Sequence, residues 1–100
     1  MPRYQGSGYS TEEMLAWLIE DIMESFRVIR MREVADVMGL HKSALSRWVN
    51  ARIAPTLDGI VQAAMRANEE ARLAGYTWRY SLEGIPPRLI KVQHGPDTTD

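Results

Sequence analysis

The chain has 100 residues, no cysteine and a formal net charge of −1. That length supports one domain with one modest core, and the lack of cysteine excludes disulfides, thiolate metal sites and thiol nucleophiles. The near-neutral total hides an uneven distribution. Residues 27–52 set Arg27, Arg30, Arg32, Lys42, Arg47 and Arg52 against Glu33 and Asp36, a local +4, whereas residues 1–26 set Arg3 against Glu12, Glu13, Glu20, Asp21 and Glu24, a local −4. A polyanionic partner meets the local field, because charges beyond a Debye length of about 8–10 Å are screened.

Residues 1–9 are rich in glycine and poor in aliphatics, and read as a flexible arm. They lack the apolar stretch of a secretory signal, and no later run approaches the roughly 18 apolar residues of a membrane span, so a cytoplasmic protein with no membrane contact is expected. Ser10-Thr11-Glu12-Glu13 has the pattern of a capping box. Met14, Leu15, Leu18, Ile19, Ile22, Met23 and Phe26 then recur every three or four residues, predicting a first helix over 11–26. A second short helix is predicted over 31–38, ended by Gly39. A third follows over 42–50. Pro55 forces an extended Ala54, and Thr56 is a good cap for a fourth helix over 57–73, whose expected inner face is Leu57, Ile60, Val61, Ala64 and Met65. Tyr76, Trp78, Tyr80 and Leu82 alternate with polar residues, predicting a strand. Residues 83–87 read as a turn, 88–92 as a second strand and 93–100 as a disordered tail.

The most informative stretch is 31–50. Two helices that meet steeply across a short turn need a small residue at the crossing (Ala35), a residue tolerating positive φ (Gly39) and an apolar plug after it (Leu40). They also need buried anchors on the first helix (Val34, Met38) and on the second (Leu45, Trp48). All seven positions are filled as required.

Residues Val34 to Asn50 resemble the core of the XRE/Cro-type helix-turn-helix regulators of phages and bacteria, and Arg52-Ile53-Ala54-Pro55-Thr56-Leu57 is similar to that family's following segment. The resemblance covers roughly residues 12–73. It implies a mainly α, compact bundle of about four helices over 10–74, with the third helix in the major groove of double-stranded DNA. By position it assigns base reading to Lys42, Ser43, Ser46 and Arg47, and phosphate contact to Asn50 and Arg52. His41, Arg32 and Arg30 are expected on phosphates as well. His41 and Arg30 stand where the family often has a capping residue, and Ala51 stands where glycine is frequent. Arg3 on the arm is expected to be idle rather than in a minor groove.

The aromatic strand raises an assembly question. A lone hairpin cannot cover three aromatics, so the segment 75–92 either folds back on the first helix or pairs with a second subunit. Dimerisation through Tyr76, Trp78, Tyr80 and Leu82 is the expectation, matching a twofold dimer on half-sites about 34 Å apart. The functional expectation is therefore a transcriptional regulator, most simply a repressor on a palindromic operator. The alternative is an antitoxin-like or phage-encoded module whose C-terminal segment binds another protein. No enzyme is expected: the two histidines are far apart, no glycine-rich phosphate loop is present, and no catalytic, metal or cofactor site stands out.

Overall fold

In the computed structural model, which describes residues 6–50 and 53–93, four helices precede an antiparallel two-stranded hairpin. α1 spans Thr11–Phe26, α2 Met31–Met38, α3 Lys42–Val49 and α4 Leu57–Leu73; β1 spans Trp78–Glu83 and β2 Arg88–Gln93. The class is the mainly helical one expected, with two strands in the expected segments, the first starting at Trp78 rather than Tyr76.

The helix ends follow from local chemistry. At the start of α1 the Ser10 hydroxyl accepts from the Glu13 amide at 3.0 Å, and the Glu13 carboxylate accepts from the Ser10 amide at 3.1 Å. The bond from the Ser10 amide, joined by that of its hydroxyl, holds the Glu13 carboxyl below the usual carboxylate range. α2 ends with the Leu40 amide donating to Ala35 O at 2.9 Å and the Gly39 amide to Asp36 O at 3.1 Å, around Gly39 at φ 70°. α1 ends in the same way, with Val28 N donating to Met23 O at 3.1 Å, but the left-handed position is held by Arg27 at φ 57°. An L side chain is strained in that conformation.

The core joins Met14, Leu15, Leu18, Ile19 and Ile22 of α1 to Val34, Ala35 and Met38 of α2, Leu45 of α3, and Ile60, Ala63, Ala64 and Ala67 of α4. Tyr80 and Leu89 of the hairpin complete it. On α4 the buried face differs from the expected one. Ile60, Ala63, Ala64, Ala67 and Ala71 point inward, whereas Leu57 and Met65 are exposed and Val61 is half-buried. The alanines let the α4 backbone come close to its neighbours, so side-chain size misdirects a reading based on hydropathy.

The hairpin folds back on the same chain. Its register runs from Trp78 opposite Gln93 to Glu83 opposite Arg88. Tyr80 packs edge-on against Trp17, with ring centroids 5.7 Å apart, and Phe26 meets Tyr76 and Trp78 at 5.6 and 5.4 Å. Beneath them lies a polar cluster: the buried Asp21 carboxylate accepts from Tyr80 O–H at 2.6 Å and Ser25 O–H at 3.1 Å, and pairs with Lys91 Nζ at 3.0 Å. Lys91 also donates to Ser25 at 2.6 Å and stands 4.4 Å over the Trp78 ring. Tyr80 is therefore a core residue of the single chain, and its expected place in a dimer contact is corrected: both its ring and its hydroxyl are used internally. The arm is corrected in part too. Gly6 bridges to Ile90, and the buried Ser7 donates its amide to Leu89 O at 2.8 Å and accepts from Leu89 N at 3.0 Å. Residues 1–5, including Arg3, and the tail from 94 lie outside the described residues.

Candidate nucleic-acid interface

The seven packing residues of the α2–α3 unit sit as the spacing requires. Val34, Ala35, Met38 and Leu45 are buried, and Leu40 and Trp48 pack against the core as half-buried residues. Gly39 holds the turn. A Cβ there would also meet Arg66 Cγ at 2.8 Å. The Trp48 ring rests on Gly59, where a Cβ would lie 3.1 Å from it. Gly59 was not singled out in the sequence, since an isolated helical glycine usually signals only a weak helix.

Anchoring Leu45 and Trp48 inward turns the opposite face of α3 to solvent. Lys42, Ser43, Ser46, Arg47 and Asn50 are all exposed, and His41 precedes them at the N-cap, also exposed. Successive residues on a helix turn by about 100°, so these side chains fan over one side of the cylinder. Lys42 and Arg47 form no ion pair with a carboxylate among the described residues, and Arg30 and Arg32 form none either.

His41 supplies the cap that serine or threonine would otherwise supply. Its Nδ1 accepts from the Ser43 amide at 3.1 Å and contacts the Ser43 hydroxyl at 2.8 Å. The bonding leaves the proton on Nε2, pointing away from the helix end. Arg30 at the start of α2 has no acceptor in its side chain, so only the reciprocal half of a box forms there: the Glu33 carboxylate accepts from the Arg30 amide at 3.2 Å. The two serines are oriented before any ligand arrives. Ser43 is held by His41, and the Ser46 hydroxyl accepts from Asn50 Nδ2 at 3.1 Å, which leaves the Ser46 proton free to donate.

Arg32 and Lys42 both line a shallow depression of about 450 Å³, together with Met31, Ser43, Ser46, Val49 and Asn50. The first residues of α2 (Met31, Arg32) and of α3 (Lys42, Ser43) border it, so the positive ends of two helix dipoles lie beside it. Two cations, the first turns of two helices and a fan of donors at one concave surface can hold a backbone of phosphates and present hydrogen-bonding groups to what lies between them. Arg52 and Ala51 fall outside the described residues.

The hairpin stands apart from this surface. Trp17, Asp21 and Ser25 carry it on one flank of α1, while Glu12, Leu15, Ala16 and Ile19 on another flank border Trp48 and Val49 of α3. Glu12 is the acidic residue nearest the C-terminal end of α3 in that groove. Among the described residues no helix is long and apolar enough to cross a membrane, and no group of three or more His, Asp or Glu is placed to hold a metal ion. Comparison of the chain with protein-family models, with curated proteins and with solved structures gave no match.

Proposed function

We propose that this chain is a sequence-specific double-stranded DNA-binding regulator of the XRE/Cro helix-turn-helix type. It acts as a homodimeric repressor that occupies a palindromic operator and blocks access to it. One observation carries the reading: Lys42, Ser43, Ser46 and Arg47 project together into solvent from a short helix anchored on its far side by Leu45 and Trp48. A helix presented in this way fits the major groove, whose base edges offer a distinct donor and acceptor pattern for each base pair. Arg47 would donate two bonds to guanine O6 and N7. Lys42 and the serine hydroxyls would read neighbouring edges. Arg30, Arg32, His41 Nε2–H and Asn50 would hold phosphates and set the register. The function requires binding alone, with no catalytic residue and no cofactor.

The test is selection of bound duplexes from a random-sequence pool at low salt, followed by gel-shift titration. An enriched motif with twofold symmetry is expected, with affinity falling steeply as salt rises. Binding without an enriched motif, or none at all, contradicts the proposal.

The second reading, a protein-interaction module, draws on the hairpin, where Ile85 at the turn is fully exposed and Leu82 and Val92 on the strands are partly so. A stoichiometric foreign protein recovered with the full chain, and lost on Ile85→Asp, would favour it.

A further inference from the structure

α4 carries more apolar surface than the single chain uses. Its alanines and Ile60 face the core, yet Leu57 and Met65 remain 36% and 47% exposed, with Val61 half-buried between them. Beside this flank runs β1, where Leu82 is 38% exposed. Asp58, Met65 and Arg72 lie two helical turns apart in succession and so fall within about 40° of one line on the outward face. An acid, an apolar residue and a base stand on that line in order, with the charges equally far from Met65.

This spacing is self-complementary. A twofold axis through Met65 brings two α4 helices together antiparallel, so that Met65 meets its own copy. Asp58 then lies opposite the partner's Arg72 and Arg72 opposite the partner's Asp58, as an isologous contact demands. Neither charge is saturated within the chain. Arg72 spends Nε and Nη2 on Glu69, leaving Nη1, and Asp58 accepts from Gln62 through Oδ2, leaving Oδ1. Asp58 sits in the first turn of α4 and Arg72 in the last, so opposed helix dipoles add to the match.

The neighbouring strand edge steers the same way. Two hairpins could in principle join by adding strand to strand along β1. Asn68 blocks this: its Oδ1 accepts from Tyr80 N at 2.7 Å and its Nδ2 donates to Tyr80 O at 2.9 Å, so the side-chain amide stands where a strand would pair. Arg79 Nη1 occupies Trp78 O at 2.7 Å. Association on this side must therefore proceed through side chains.

We infer that the outward face of α4 is a twofold contact with a second copy of this chain, centred on Met65 and registered by Asp58 against the partner's Arg72. The inference places the contact of the proposed homodimer on α4 rather than on the aromatic strand, and it rests on that reading only for its biological purpose.

Sedimentation equilibrium of the full chain without DNA tests it, from about 10 µM to about 1 mM, the range in which a small interface associates. Dimer is expected. Met65→Glu places like charges on the axis at an exposed site and is expected to weaken association by about tenfold or more, with the fold retained by circular dichroism. Asp58→Arg alone and Arg72→Asp alone each oppose like charges and weaken it comparably. Asp58→Arg combined with Arg72→Asp restores opposite charges and is expected to recover most of the loss. A chain that stays monomeric throughout overturns the inference. So does a dimer indifferent to Met65→Glu, or a double exchange no better than its single components. Because no DNA is present, each of these results leaves the proposed DNA recognition standing.

Discussion

Under the proposed function Arg47 and Arg32 would make different demands on DNA, and that difference can be measured. Arg47 lies on the outward side of α3 and would address a base edge; Arg32 borders the depression at the start of α2 and would address a phosphate. Arg47→Ala is expected to cost about 1–3 kcal/mol on the preferred duplex and to relax preference at one base pair. Arg32→Ala should weaken all sequences alike and lower the salt slope by about one. Gel-shift titration on the selected duplex and on single-base variants separates the two, and equal, sequence-independent losses would contradict the assignment. Leu45, fully buried behind this face, belongs to a third kind: Leu45→Ala should lose about 2–5 kcal/mol of folding stability, read by urea unfolding. At this scale the exposed face of α3 was legible because Leu45 and Trp48 fix which side is buried, leaving little freedom for the rest. The His41 cap was not, since histidine is rarely a helix cap. Only its distance to the Ser43 amide reveals the role.

Among the elements, helix ends and faces show where local sequence suffices and where it fails. Ser10 and Glu13 announce the start of α1 by their spacing, and the box forms. Because the folded Glu13 carboxyl titrates below its ordinary value, its charge contributes stability above the ordinary carboxylate range and loses it as pH falls through the folded value. Wild type should therefore exceed Glu13→Gln in thermal midpoint at neutral pH, and the gap should close in acid. The end of α1 gave no such signal, for arginine does not advertise a left-handed conformation. Arg27→Gly should relieve that strain, net of the entropy glycine loses, and stabilise the fold by about 0.5–1 kcal/mol. A lower midpoint in calorimetry would contradict this. α4 was misread at its face, though not in its extent, because Leu57, Val61 and Met65 are larger than the alanines that make the contact. The exposed stripe they form is the surface assigned above to a second copy.

Across the whole molecule, the hairpin is tied to α1 by residues 59 or more positions apart, Asp21 with Tyr80 and Ser25 with Lys91. Nothing in the local pattern of Tyr76, Trp78 and Tyr80 could say whether their partners lay in the same chain or in another, which is why the fold-back became visible only with Trp17, Asp21 and Phe26 in place. The buried pair makes a strong demand on both partners. Lys91→Ala removes a cation that stands 3.0 Å from the buried Asp21 carboxylate and is expected to cost about 3 kcal/mol. Asp21→Asn combined with Lys91→Ala should cost less than the sum of the two alone, which a double-variant unfolding cycle detects. The same tie keeps the hairpin on a flank of α1 away from α3, so the basic surface around Lys42 stands open.

The measurement closest to the central claim is a ¹⁵N–¹H NMR titration of the full chain with its selected duplex, residue by residue. Amide shifts are expected to concentrate on Arg32 and on His41 through Asn50, to fade as salt is raised, and to spare the hairpin. Shifts centred on β1 and β2, or none along α3 at saturating duplex, would contradict the account.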